Sequence, residues 1–543
     1  MRTVGQLEDR TYDYVIAGAG SAGCVLANRL SADGRHSVLL LEAGPRDWNP
    51  WIHIPVGYFK TMHNPATDWC YKTEPCDGLA GRSIDWPRGR VLGGSSSING
   101  LIYIRGQRED FDHWRQLGNA GWSYEDVLPY FKRAECYEGG EDEIHGGNGP
   151  LRVSNARARL ELGDMFIEAA ENIGIPRTSD FNRGDQTGVG YIQQTTYNGL
   201  RCSTAVAYLR PARKRANLAI VTNAHVERVI FEGKRAVGVA YSTRKGPRRA
   251  VAGREVILSA GAIGSPQILM LSGVGPATHL KEHGIEVVHD AEGVGANLQD
   301  HLQVRMVFRL NRPISLNGKV NNIFRRGMMG IQYALTRTGP LTFGASLLCA
   351  FARSHPAAAT PDLQWHIQPL SAEKPGVALD DFPGFTATSC QLRPESRGRI
   401  ALKSADPRDH PAIHPNYLAT ETDRRVTVAG MKITRQIVGA EPLAAVVEEE
   451  MTPGARCTGD DALLEAARQH SQTIYHPVGT CKMGTGPAAV VDEKLRAHGL
   501  EGLRIVDASI MPTLTSGNTN APAIMIAEKA SDMIVEDAKQ GAG

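Results

Sequence analysis

YDYVIAGAGSAGCVLANRLSADGRHSVLLLEAG, residues 12–44, is the stretch that decides the fold. Tyr14 to Ala17 is a short apolar strand, and the turn Gly18-Ala19-Gly20 follows it directly. Ala22, Leu26 and Leu30 then recur at the i, i+4 spacing of a helix. Ser37 to Leu41 is a second buried strand, and Glu42 ends it. Glycines at 18, 20 and 23 let the backbone turn tightly, approach a pyrophosphate and pack helix on strand. The helix N-terminus offers that anion its N–H donors and partial positive charge. Glu42, 19 residues after Gly23, stands where a carboxylate accepts hydrogen bonds from a ribose. A purely structural elbow would not require the acid, so the unit reads as a dinucleotide site for FAD or NAD rather than NADP.

Outward from this unit the chain is an ordinary globular one. Its 543 residues are enough for two or three domains, and 42% hydrophobic with 22% charged residues excludes a disordered or fibrous chain. Sixty Lys+Arg against 58 Asp+Glu argue against a nucleic-acid binder. The basic stretch Arg210 to Arg215 reads as a solvated helix end. Nine scattered Cys without a CxxC suggest neither a disulfide framework nor a zinc site. His410 and His414 are followed by prolines that spoil a helix, so no metal pair is expected. No secretory leader is expected from MRTVGQLEDRTYDYV. The longest uncharged run, 256–275, holds Pro266, Gln267 and four glycines and is a poor membrane span. A cytoplasmic setting is the expectation.

Further along, residues 107–137 read as helical, and 220–258 as strands joined by a Glu232-Gly233 turn. Residues 255–275 return to strand, glycine turn and helix. The region 306–465 is less regular and reads as a separate substrate-facing part, with Leu363 to Ile367 as one strand. Trp365, His366 and the aromatics around 382–385 are expected to be core rather than pocket.

Two long stretches name the dinucleotide. GRVLGGSSSIN (89–99) and GAIGSPQILMLSGVG (261–275) match the two sequence patterns of the glucose–methanol–choline (GMC) oxidoreductases. EAGPRDWNPWIHIPVG (42–57), TIYHPVGTCKMGT (473–485) and VDASIMPTLTSGNTNAPAIMIAEKA (506–530) resemble the family's bacterial choline- and medium-chain-alcohol-dehydrogenase branch. The resemblance runs from about Tyr12 to Met533. It implies an α/β chain, α+β overall. A Rossmann-like FAD-binding domain (1–157, 217–305 and 470–543) would carry an inserted substrate domain on an antiparallel sheet (158–216 and 306–469). It implies FAD contacts at Gly18, Gly20, Ser21, Ala22, Gly23, Glu42 and Ala43. Further contacts fall at Arg90, Gly93, Gly94, Ser95, Asn99 and Gly100. Val226 would meet the adenine, Ala260 the ribose or pyrophosphate, and Asp507-Ala508 the ribityl chain. Some members hold FAD through a His in the 93–100 loop. Ile98 stands at that position and has no nucleophilic atom, so the FAD is expected to be non-covalent.

The resemblance also places the chemistry. Alcohol oxidation needs a base of near-neutral pKa for the hydroxyl proton, and by resemblance His476, in Tyr475-His476-Pro477, is that base. The family's second position, His or Asn, is expected at Asn520, which would hold the developing alkoxide and also touch FAD. The absence of GxSxG disfavours serine hydrolysis. The implied activity is oxidation of a primary alcohol to the aldehyde, with electrons passed to a quinone-like acceptor. An oxidase using O2 and a choline dehydrogenase are the nearer alternatives, a GMC-fold lyase or decarboxylase the remoter ones. Peripheral contact with the inner face of the cytoplasmic membrane is compatible with this reading.

Overall fold

A computed structural model describes residues 11–373 and 378–540. The chain opens with strand β1 (Thr11–Ala17), helix α1 (Ser21–Leu30) and strand β2 (Val38–Glu42). β2 is buried at every position because helices and loops cover both faces of a parallel sheet. The chain then sends β3 (Gly188–Tyr191) to a second layer before returning with β4 (Leu218–Thr222), β5 (His225–Glu232), β6 (Arg235–Thr243) and β7 (Gly246–Leu258). Gly233, at φ +59°, makes the turn between β5 and β6. Helix α2 (Gly261–Leu271) follows β7.

β8 (Leu302–Leu310) opens the second layer, followed by helix α3 (Ile323–Thr336), β9 (Leu348–Ala352), β10 (Leu363–Gln368) and β11 (Gly384–Gln391). Helix α4 (Glu421–Val438) leads to β12 (Val447–Thr452) and β13 (Ser471–Thr473). The chain returns to the first sheet with β14 (Leu503–Ile505) and ends in helix α5 (Asn520–Gln540).

The first sheet has the order β4-β2-β1-β7-β6-β5, with β14 on β7. β4, β2, β1, β7 and β14 run parallel; β5 to β7 form an antiparallel meander. β1 and β2 pair in register from Tyr14↔Val38 to Ala17↔Leu41, so both strands deliver their C-terminal ends to one edge. That edge is where a doubly wound sheet binds its ligand. The second sheet, β12-β8-β11-β10-β9-β3 with β13 on β8, is antiparallel throughout and has its own apolar core.

The seams differ from those expected. β8 joins the second sheet from Leu302 rather than 306, and β13 keeps the chain there through Thr473 rather than 469. Ala205–Ala212 pack against α1, where Asn28 donates to the Tyr208 carbonyl at 2.7 Å. Ile400, Leu402, Ile413 and Tyr417 belong to the first core as well. Apolar patterning marks strands, but which sheet a strand joins depends on partners far away in sequence. α5 lies along α1, and Glu528, fully buried, accepts from Arg29, Arg133 and Tyr208.

Candidate active site

Both glycine turns are built for close approach. Gly18 holds φ +100°, and a Cβ there would lie 2.5 Å from the Ser259 carbonyl oxygen. A Cβ on Gly23 would lie 1.9 Å from the Gly18 oxygen, so this glycine seats α1 on the turn. At Gly20 the nearest atom would be 3.9 Å away. Nothing in the protein demands glycine there, and the position faces a cavity of about 310 Å³. The second turn rests on the first. The Gly93 N–H donates to the Ala19 carbonyl at 2.8 Å, and a Cβ on Gly94 would meet the Gly20 Cα at 2.6 Å.

The cavity wall carries Gly18, Gly20, Ser21, Ala22, Glu42 and Ala43 from the first unit, and Gly94, Ser95, Ile98, Asn99 and Gly100 from the second. Val226, Ala260, Gly261, Asp507, Ala508 and Asn520 complete this half. Gly23, Arg90 and Gly93 are not on the wall; the first and last shape the turns behind it, and Arg90 lies over the Trp69 ring. Glu42 accepts from Ala19 N–H at 3.0 Å and Gly44 N–H at 2.8 Å. Burial pushes its carboxyl up to about 7, against those two hydrogen bonds and the Arg90 charge. Asp507, raised by burial, accepts from Gly261 N–H at 2.9 Å and Ser265 Oγ at 2.6 Å at the start of α2. An acid at the end of β2, an open glycine facing the cavity and a helix N-terminus together fit a dinucleotide such as FAD.

His476 stands at the other end of the same cavity. Its backbone N–H donates to Asp300 Oδ1 at 2.6 Å, and Asp300 Oδ2 accepts from Tyr417 and Thr473. Burial lifts Asp300 to about 6 against these bonds. The ring is fixed by a chain of contacts. His301 Nε2 lies 2.9 Å from the Leu392 carbonyl, which can only accept, so this nitrogen carries the proton. Burial pulls His301 down to about 4, leaving it neutral with a bare Nδ1. That Nδ1 lies 3.0 Å from His476 Nδ1, which therefore donates. Burial, then the neighbouring His301, His366 and Arg88, hold His476 well below the usual imidazole range. Its Nε2 is consequently a bare lone pair, and it meets the Asn518 amide Nδ2 at 3.0 Å. The Asn518 Oδ1 accepts from Gln364 Nε2 at 3.3 Å, which sets the amide's orientation.

The partner of His476 is thus Asn518 and not the expected Asn520. Asn520 is the first residue of α5, and its Oδ1 accepts from Ser21 Oγ at 2.8 Å, turned toward α1. The two asparagines lie two apart in one GNTN segment, and local sequence carries no sign of which one meets the histidine. Gly517, at φ +142°, brings Asn518 in. Trp365 is core, donating to Thr434 Oγ1 at 2.8 Å, and Phe385 is core on the second sheet. His366, expected to be core, lines the cavity beside His476, pulled down to about 3 by burial and then by His301. His301 had no distinguishing motif; its role rests on a contact spanning 175 residues.

Residues 12–303 match the N-terminal sequence model of the GMC oxidoreductases, and residues 394–527 the C-terminal one. An alcohol dehydrogenase (acceptor) of Pseudomonas putida is 45% identical over 528 residues, covering 96% of each chain. An oxygen-dependent choline dehydrogenase of Brucella ovis is 44% identical over 96% of this chain and 95% of its own. Among solved structures, the pyridoxine 4-oxidase of Mesorbium loti superposes with a TM-score of 0.88 at 32% identity, covering 97% of this chain and 99% of that one. A formate oxidase variant of Aspergillus oryzae, made to study FAD modification, gives 0.91 at 27% identity over 98% and 99%.

Proposed function

The chain belongs to the GMC oxidoreductase family, FAD-binding flavoproteins, and from that premise we propose that it oxidises a primary alcohol to the aldehyde and hands the electrons to a quinone-like acceptor. The observation that carries this reading is the bare Nε2 of His476, held by the chain Leu392–His301–His476 in the cavity that also contains the two glycine turns.

FAD, when bound, supplies the acceptor for the hydride that leaves the alcohol carbon. Gly18, Gly20, Glu42, Gly94, Ser95, Asp507 and their neighbours on the wall hold it, and Gly23, Gly93 and Arg90 support them from behind. His476 Nε2 takes the hydroxyl proton. Its low proton affinity in the buried site keeps it unprotonated at neutral pH and ready for that task. The substrate hydroxyl takes the place at Nε2 that an Asn518 N–H otherwise fills, and the displaced donor serves the substrate oxygen as negative charge develops there. Ile98, buried on the wall beside Val91, offers no atom for a covalent link, and the FAD is held non-covalently.

The quinone-like acceptor and a peripheral place at the inner face of the membrane are supported by α3. Phe324, Met328, Ile331 and Leu335 are 82%, 64%, 55% and 80% exposed at a spacing of four, three and four, one apolar stripe turned to solvent. Lys319, Arg325 and Arg326 lie exposed on and beside it, and the sequence has no Asp or Glu from His301 to Pro361. A basic, apolar-faced helix suits an interfacial position. No helix among the described residues is long and apolar enough to cross a membrane.

The test is anaerobic bleaching of the flavin by primary alcohols, which a lyase or decarboxylase would not show. His476→Ala should slow it by about 10²–10⁴; a rate within a few-fold of wild type overturns the assignment of the base. Rapid reoxidation by air with stoichiometric peroxide would replace the quinone-like acceptor by oxygen. Acid precipitation should release yellow flavin into the supernatant, and colour retained in the pellet would refute the non-covalent reading.

A further inference from the structure

β8 and β10 present alternate residues to the cavity, as a two-residue period requires: Gln303 and Arg305 from the first, His366 and Gln368 from the second. This floor of the His476 half consists of hydrogen-bond donors and a cation. Glu42 and Asp507 are the only carboxylates on the described wall, and both belong to the half with the glycine turns, where backbone N–H groups hold them. The four residues 374–377, outside the described part, are Lys, Pro, Gly and Val and add none.

Arg305 is 6% exposed. Its two terminal nitrogens donate to the carbonyls of Glu373 and Ala372, each at 3.2 Å, which occupies two of five donors. No carboxylate among the described residues lies within ion-pair distance of it. Tyr58, buried, and Tyr475, half-buried, stand on the same wall and are neutral, since desolvation raises both phenols, Tyr475 to about 12. Arg88, the other cation of this half, donates to the Tyr475 carbonyl at 2.7 Å and has Asp300 and Asp68 behind it. The carboxylate that acts on Arg305, Asp380, stands off the wall and beyond ion-pair distance. A buried charge so weakly paired is costly, and an anion brought by the ligand would pair it directly.

We propose that the alcohol oxidised here carries a carboxylate, paired with Arg305 while its hydroxyl end reaches His476. The proposal rests on the alcohol-oxidation reading for the hydroxyl end only; the carboxylate end stands on Arg305. Four residues of strand place the Arg305 backbone about 13 Å along β8 from His301, which backs His476, so a medium-chain ω-hydroxy acid spans the distance. A quaternary ammonium alcohol would instead bring a second positive charge to a floor that has no carboxylate to receive it.

The binding arm uses the wild-type holoenzyme, with octanoate and octyltrimethylammonium as non-reactive probes that differ in the sign of one charge. Perturbation of the flavin spectrum at low salt reads the two dissociation constants. Octanoate should bind at least ten-fold tighter, and Arg305→Met should abolish the difference while Arg305→Lys keeps part of it. Equal binding, or tighter binding of the ammonium, overturns the proposal without any variant having to fold. The kinetic arm compares ω-hydroxy acids of four to twelve carbons, the matching alkanols and choline in anaerobic bleaching. The best hydroxy acid should exceed its alkanol at least ten-fold in kcat/KM, through KM, and Arg305→Met should bring the ratio to one or below. Choline or plain alkanols as the better substrates would overturn the proposal and leave alcohol oxidation intact. Bleaching by no alcohol at all would overturn alcohol oxidation, while the binding arm would still decide the carboxylate site.

Discussion

Gly20 and Gly23 are three residues apart and give opposite expectations for the same substitution. A methyl on Gly23 would lie 1.9 Å from a backbone oxygen of Gly18, more than 1 Å inside any tolerable contact, and neither backbone can move without lifting α1 from β1. Overpacking of that kind costs about 3 kcal/mol or more, a large fraction of the about 5–15 kcal/mol that holds a domain folded. A methyl on Gly20 meets nothing nearer than 3.9 Å, and φ −75° suits any residue. Its effect on the flavin-free protein should stay within about 1 kcal/mol. With FAD present the same methyl competes with the pyrophosphate for the cavity, at about 1–3 kcal/mol, which weakens FAD binding by about 5- to 150-fold. Urea denaturation of the deflavinated variants reads the first pair of effects, and FAD titration by fluorescence quenching reads the other. Gly20→Ala binding FAD as tightly as wild type would refute the reasoning, for the turn would then be a structural elbow. Gly23→Ala as stable as the parent would refute the packing argument.

Other expectations are independent of these. Asn518→Ala should slow flavin bleaching by about 10²–10³, whereas Asn520→Ala, losing one hydrogen bond to Ser21, should leave the rate within about five-fold; the reverse order would return the role to Asn520. His301→Ala strands the buried His476 Nδ1 donor at about 1–3 kcal/mol, so stopped-flow reduction should slow by about 5- to 150-fold. In the wild type the acid limb of its pH profile lies below 6.5, since burial above all depresses His476; an unchanged rate excludes the tautomer chain. His145 lies buried between Glu135 and Asp180; burial lowers its pKa, but its hydrogen bonds to Asp180 and Glu135 outweigh that and push it up to about 9. Its contribution, at most about 3 kcal/mol, is complete below pH 6.5 and vanishes as pH rises through 9. Tm should therefore fall between pH 6.5 and 9 and fall less in His145→Ala; parallel slopes would rule the pair out. Phe324→Ser with Leu335→Ser should abolish co-sedimentation with phosphatidylglycerol vesicles, and wild-type protein that ignores such vesicles would exclude α3 as a membrane face.

The dinucleotide turn was legible because its parts adjoin in sequence: Gly18, Gly20, Gly23 and Glu42 lie within one strand–helix–strand unit and need no distant partner to be recognised. His476 was singled out through the resemblance of its TIYHPVGT segment to the family, and the structure places it on the cavity wall. Asn518, His301, His366 and Arg305 were not. His301 acts through Leu392, 91 residues away, and His476, 175 residues away. Arg305 and His366 face the cavity because of the register in which β8, β10 and β11 pair, and a one-residue slip would turn them to the other side. The domain seams at 302 and 473 escaped detection for the same reason.

The union of α1 and α5 also has a temporal meaning. Ser21 meets Asn520 across 499 residues, and Arg29 meets Glu528 across the same separation. Synthesis delivers the glycine turn first and its covering helix last, so a ribosome-bound chain that has not yet released residue 520 presents the first turn with that flank open. The cavity wall is therefore complete only once Asp507, Ala508 and Asn520 have been made.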